Sequence, residues 1–213
     1  MAQMNCPQCG APLPMRGGGL PYAVCAYCQA VVMRDGMSQV GTAAVLPYDI
    51  SPIQLGTGGA VDGTRFTVVG RLRWGWSDGS WNEWLLQLSD GTICWLGEAM
   101  GQFQVLAPRE DLVERFSGPI LLGSRVQMDG QNFTASDIKQ VTCLGGEGDL
   151  PFACPKDWAL ESIDFRSDAG AALSVQRDGG RVDVYSGRYV ELAELKPSRL
   201  RQIEGWTMPE GLA

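Results

Sequence analysis

From Gln54 onward, apolar residues recur in runs of four to eight positions with a period of two, and Asp-Gly or Gly-rich pairs separate the runs. This is the pattern of half-buried β-strands joined by tight turns. Phe66, Val68, Leu72, Trp74 and Trp76 share one parity, which predicts a strand carrying all five on one face. The segment from Trp84 to Leu96 predicts a hairpin. Its Asp90-Gly91 pair suits a type I′ turn, in which both central residues need positive φ. Here Trp84, Leu86 and Leu88 fall on one face, and Glu83, Leu85 and Gln87 on the other. Asp62-Gly63, Asp129-Gly130 and Asp178-Gly179 repeat the turn signal. Helical text is scarce: Ala107–Phe116, with Pro108 near its start, predicts a short helix, and Ser198–Glu204 a further turn or two.

The same pattern divides the chain. Residues 1–33 form a cysteine-bearing head. Residues 34–53 hold two prolines and little periodicity and are read as a linker. Beyond it, Leu55-Gly56, Asp62-Gly63 and Phe66-Thr67 recur as Leu122-Gly123, Asp129-Gly130 and Phe133-Thr134, all at an offset of 67. A second Asp-Gly hairpin follows in each half, at Asp90-Gly91 and Asp178-Gly179, and then a Gly-x-aromatic, at Gly101–Phe103 and Gly187–Tyr189. The expected architecture is mainly β: a zinc ribbon followed by two tandem related units, 54–119 and 120–213, each a small SH3-like barrel or sandwich. The SH3-like element is an analogy to the opening hairpin of such barrels.

Composition narrows the chemistry. The chain has 213 residues and no histidine, so Ser-His-Asp and Cys-His nucleophile pairs and imidazole metal ligands are excluded. Acid-base work would fall to carboxylates, Lys, Tyr or Cys, and the balance leans against an enzyme. The net charge is −7 and no segment is basic, which argues against nucleic-acid binding and against docking on an anionic membrane. No apolar run approaches membrane-spanning length, the first residues do not read as a signal peptide, and the cysteine usage fits a reducing cytoplasm.

Two clusters carry candidate chemistry. Cys6-Pro-Gln-Cys9 and Cys25-Ala-Tyr-Cys28 are spaced as two knuckles of a zinc ribbon, four thiolates closing a tetrahedral site. The reading is structural Zn²⁺; iron also suits four cysteines, and disulfide exchange is the remaining alternative. Cys94, Cys143 and Cys154 stand alone in apolar text and read as small buried hydrophobes. The second cluster is aromatic and acidic: five of the seven tryptophans lie between positions 74 and 95. Trp74, Trp76, Trp81 and Trp84 with Glu83 and Glu98 would form a cleft able to stack a sugar, a base or a cationic amine, Glu83 and Glu98 serving as acid and base. The competing reading packs the indoles into a core, with Glu83 accepting from their N–H groups. Trp74 and Trp76, running into a Gly-Ser-Asp turn, are expected to be the exposed pair.

The residues Gly56, Asp62-Gly63-x-x-Phe66-x-Val68-x-Gly70-Arg71, Trp81-x-Glu83-Trp84-x-Leu86, Asp90-Gly91-x-x-x-Trp95-Leu96-x-Glu98-x-x-Gly101, Gly146-Glu147-Gly148-x-Leu150-Pro151 and Gly205-Trp206 resemble a bacterial group known as domain of unknown function family 4178, often preceded by a zinc ribbon. The resemblance spans roughly residues 54–206. It implies an accessory role beside polyamine-synthesis enzymes and small membrane proteins, in envelope- or stress-related settings. On that basis the expectation is a non-enzymatic adaptor or binding protein with a protein partner. The alternative is an amine-binding or weakly catalytic domain built on the Trp/Glu cluster, with a polyamine or similar cation as ligand.

Overall fold

A computed structural model describes residues 4–205 and residue 207. Trp206 of the closing Gly-Trp pair lies outside them. The strands are β1 (Met4–Asn5), β2 (Pro12–Leu13), β3 (Tyr22–Val24), β4 (Ala30–Met33), β5 (Ser38–Thr42), β6 (Gly58–Val61), β7 (Thr64–Trp76), β8 (Gly79–Leu88), β9 (Ile93–Ala99), β10 (Gln102–Pro108), β11 (Arg125–Met128), β12 (Gln131–Leu150), β13 (Ala159–Ser167), β14 (Ala171–Asp178) and β15 (Arg181–Val190). Helix is confined, among the described residues, to three short 3₁₀ segments. The expected helix at Ala107–Phe116 is instead the end of β10 followed by turns at Glu110–Leu112 and Glu114–Phe116; Ser198–Glu204 carries no helix.

The mainly β expectation holds, but the two stretches read as tandem units join one sheet rather than forming separate barrels. Each contributes five consecutive antiparallel strands, β6–β10 and β11–β15. β10 pairs with β15 and β7 with β12, so β7-β8-β9-β10-β15-β14-β13-β12 closes on itself as a ring of strands. A ring leaves few open edges. Glycines sit on both seams. A Cβ on Gly70 would lie 2.0 Å from the Asp149 carbonyl oxygen, and one on Gly187 would lie 1.9 Å from that of Val105.

Among the described residues a small apolar cluster lies in the head, and three larger cores belong to the ring. One fills the ring and draws Leu72, Trp74, Leu85, Trp95, Leu106, Val141, Leu160 and Tyr185 from its strands. The outer face of β6–β10 holds a second, with Phe66, Val68, Trp84, Leu86 and Leu96. The outer face of β11–β15 holds a third, with Phe133, Ile163, Phe165, Leu173 and Val175. The caps are exchanged: Leu112 and Phe116, which follow β10, seal the third core, whereas Leu192 and Leu195, which follow β15, seal the second.

The opening hairpins of the two units match bond for bond. Gly56 N–H donates to Val68 and Gly123 N–H to Ala135; Val68 N–H donates to Thr57 and Ala135 N–H to Ser124, all at 2.8 Å. Asp62-Gly63 and Asp129-Gly130 both have positive φ at each residue. The later correspondences differ in place. Asp90-Gly91 joins β8 to β9, but Asp178-Gly179 joins β14 to β15; Gly101 is a turn residue, whereas Gly187 lies inside β15. At Asp90-Gly91 only Gly91 has positive φ, and Leu88 N–H bonds Thr92. This is a three-residue loop with a bulge rather than a type I′ turn.

One parity expectation is overturned by a bulge. The β7–β8 register shifts between Val68 and Gly70. Phe66 and Val68 therefore face the outer core, whereas Leu72 and Trp74 face the ring interior. One extra residue sends every following side chain to the opposite face. The stretch read as a linker carries β5, which pairs with β4.

Candidate functional site

The four head cysteines converge. Their sulfurs all lie within 4.8 Å of one another, with Cys6–Cys28 and Cys9–Cys25 at 3.7 Å. A tetrahedral site with metal–sulfur distances of about 2.3 Å has edges of about 3.8 Å, so the donor set fits a four-thiolate ion. Both knuckles are built alike. Gly10 N–H donates to Cys6 and Cys6 N–H to Ala11; Gln29 N–H donates to Cys25 and Cys25 N–H to Ala30. Gly10 and Gln29 both take positive φ, 76° and 60°. The head is fixed to the ring. β3 pairs with the end of β12, and the fully buried Asp149 carboxylate accepts from the Arg16 and Gly17 amides at 2.6 Å and from Arg34 at 2.7 Å. Cys94, Cys143 and Cys154 are buried, and burial pushes their thiols up, to about 12, 11 and 12. Such thiols are poor nucleophiles.

The Trp/Glu cluster separates into two sites on opposite faces of β8. On the outer face, the Trp84 ring is 1% exposed and lies under the Arg71 guanidinium, 4.5 Å from centroid to Cζ. Arg71 donates to Asn82 at 2.8 Å and pairs with Asp49 and, at 3.4 Å, with Glu147. Glu98 accepts from the Trp84 indole at 2.9 Å and from Asn82 at 3.0 Å. This polar network ties the 43–53 segment to the sheet.

Glu83 is on the inner face. Its Oε2 accepts from the Trp74 indole at 2.8 Å; its Oε1 accepts from the Trp81 indole at 3.1 Å and from Gln176 Nε2, across the ring, at 2.8 Å. Glu83 and Glu98 thus point to opposite faces and do not form the acid-base pair that their spacing suggested. Trp74, expected to be exposed, is 0% exposed and packs edge-on against Trp158 at 4.9 Å. Trp76 and Trp81 are half-buried and lie 5.6 Å apart at the mouth.

A cavity of about 430 Å³ opens at this end of the ring. Trp76, Trp81, Trp95 and Tyr185 supply aromatic wall, and Glu83, Ser162, Asp164, Ser174 and Gln176 supply polar groups. Burial pushes the Glu83 carboxyl above its ordinary value, partly offset by the two indoles, with Asp164 adding to the rise. Burial likewise raises Asp164, offset by Ser174 and by the charges of Lys139 and Arg166. Glu83 and Asp164 have no ion-pair partner within 4 Å among the described residues. Two carboxyls without an ion-pair partner, set among aromatic faces, are a chemistry compatible with a protonated amine.

The second unit's share of this lumen was missed in the sequence. On β13 and β14, Ser162, Asp164, Ser174 and Gln176 alternate with Ile163, Phe165, Leu173 and Val175. That alternation reads as a solvent-facing edge of polar residues; ring closure turns it inward.

The chain matches the family described as Domain of unknown function (DUF4178) over residues 54–192, more than half of its length, and it belongs to that family. No curated protein and no solved structure matches it. No helix among the described residues is long and apolar enough to cross a membrane.

Proposed function

We propose that the protein is a non-enzymatic binding protein whose ring lumen takes a small molecule bearing a protonated amine, a polyamine being one such cation. One observation carries this reading: Glu83 is held only by neutral donors, two indoles and an amide, in a cavity it shares with Asp164 and aromatic walls. Glu83 and Glu98 on opposite faces weigh against the weakly catalytic alternative.

The head would hold structural Zn²⁺ and set the ring in place, since a closed four-thiolate site leaves no position for substrate. Val45, Tyr48 and Ile50, at 76%, 85% and 70% exposure, offer an apolar edge for a protein partner, which supports an adaptor role. Buried free thiols favour a reducing cytoplasm. An accessory role beside polyamine or envelope-stress systems rests on the family resemblance alone.

Calorimetric titration with spermidine and spermine tests the reading. Saturable heat that Glu83→Gln removes supports it. No heat at millimolar ligand, with the protein folded, would overturn a polyamine as the ligand, and no heat from a simple ω-amino acid either would overturn the amine site.

A further inference from the structure

We infer that the lumen's ligand is amphoteric: its ammonium end lies between Glu83 and Asp164, and an anionic end reaches Arg166 at the rim. The inference rests on the lumen being a binding site and adds the second end of the molecule.

The charges in the cavity are ordered by depth. Glu83 and Asp164 are inside, where Glu83 meets the fully buried Trp74. Lys139, Asp137, Arg166 and Glu98 also line the cavity, and the Glu98 carboxylate is taken up by Trp84 and Asn82 on the far face of the sheet. Lys139 is already neutralised by its pair with Asp137 and lies 5.1 Å over the Trp76 ring. Arg166 is exposed, rests 5.8 Å over the Tyr189 ring, and has no carboxylate within ion-pair distance among the described residues. A cavity meant for a purely cationic ligand gains nothing from a free guanidinium at its entrance, which repels the incoming charge. A guanidinium is instead suited to a carboxylate or phosphate, which it meets with two parallel hydrogen bonds.

Strand spacing guides the length of the ligand to test. Asp164 and Arg166 are two residues apart on β13 with side chains on the same face, so their Cα atoms stand about 7 Å apart along the strand. The ammonium and carboxylate of a single α-amino acid are too close together to span that. An extended dipeptide, at about 7 Å, does so. A linear ω-amino acid of five methylenes is of similar reach. A diamine of that length would place its second ammonium against Arg166.

The test compares two such molecules, 6-aminohexanoate and hexane-1,6-diamine, by calorimetry on the full chain at low salt. The expected result is that 6-aminohexanoate binds roughly tenfold more tightly or better, the size of one charge-assisted hydrogen bond. Arg166→Gln should erase that preference. The residue is exposed, so the variant should fold, which a thermal melt verifies. Equal or tighter binding of the diamine by the unmodified protein overturns the inference and leaves the amine site standing. A preference that survives Arg166→Gln also overturns it. Binding of neither molecule, nor of spermidine, removes both the amine site and this inference.

Discussion

Gln176 Nε2 donates to Glu83 Oε1 at 2.8 Å, joining β14 to β8 across the interior of the ring. It is a bond between the two halves of the chain, and it fixes the carboxylate that also receives the Trp74 and Trp81 indoles. Removing that carboxylate leaves buried donors without an acceptor. Glu83→Ala should cost about 2–4 kcal/mol, whereas Glu83→Gln, which keeps an acceptor oxygen, should cost less than half as much. Urea denaturation of the two variants measures the difference; equal costs would show that the acceptor does not matter.

The raised carboxyls of Glu83 and Asp164 give stability a defined slope with pH. Each binds its proton more tightly in the folded state than in the unfolded chain. Their contribution is therefore present below the ordinary carboxyl range and is lost as pH rises through the folded-state values. Thermal melts from pH 4 to pH 8 should show the Glu83→Gln variant gaining on the unmodified protein as pH rises. A constant gap would contradict the shift. An ammonium ligand that needs ionised carboxylates should bind more tightly over the same rise.

Gly70 and Gly187 stand where the two halves meet, and a methyl group at either would collide with a backbone carbonyl oxygen. Strand backbone cannot retreat there without breaking the seam. Gly70→Ala and Gly187→Ala should each destabilise by more than about 3 kcal/mol or prevent folding. Gly118→Ala, with open space around its Cβ, is the control and should change stability by less than about 0.5 kcal/mol. Circular dichroism melts distinguish the three.

Metal should load the head at roughly one ion per chain, as the four-thiolate geometry requires. Chelation should release protection of the β3 and β4 amides in hydrogen exchange, because so small a head has little core of its own. Elemental analysis showing no metal, together with thiols that react freely, would count against the ion.

The exchanged caps predict that the two units fail separately. A fragment of residues 54–119 lacks Leu192 and Leu195, and a fragment of residues 120–213 lacks Leu112 and Phe116. Each should be unfolded or molten alone, and co-expression should restore a folded complex. A cooperative melt from either fragment by itself would refute this.

The local content of this fold is legible in its residues. Period-two runs and Asp-Gly pairs mark the strands of both units because side-chain alternation and positive φ are properties of short segments. The four cysteines mark a group able to hold a metal ion because each C-x-x-C knuckle fixes its two sulfurs locally. The Trp81-x-Glu83-Trp84 segment shows which side chains share a face because pleat alone decides it. Tertiary structure decided the rest. The bulge between Val68 and Gly70 moved Trp74 from the face of Phe66 and Val68 to the ring interior, since register depends on the partner strand. Ring closure through β7–β12 and β10–β15 turned Ser162, Asp164, Ser174 and Gln176 from an apparent solvent face into a lumen. The same closure brought Gln176 to Glu83, 93 positions away along the chain. Polar alternation looks identical in sequence whether a face meets water or the inside of a ring; only long-range pairing tells them apart.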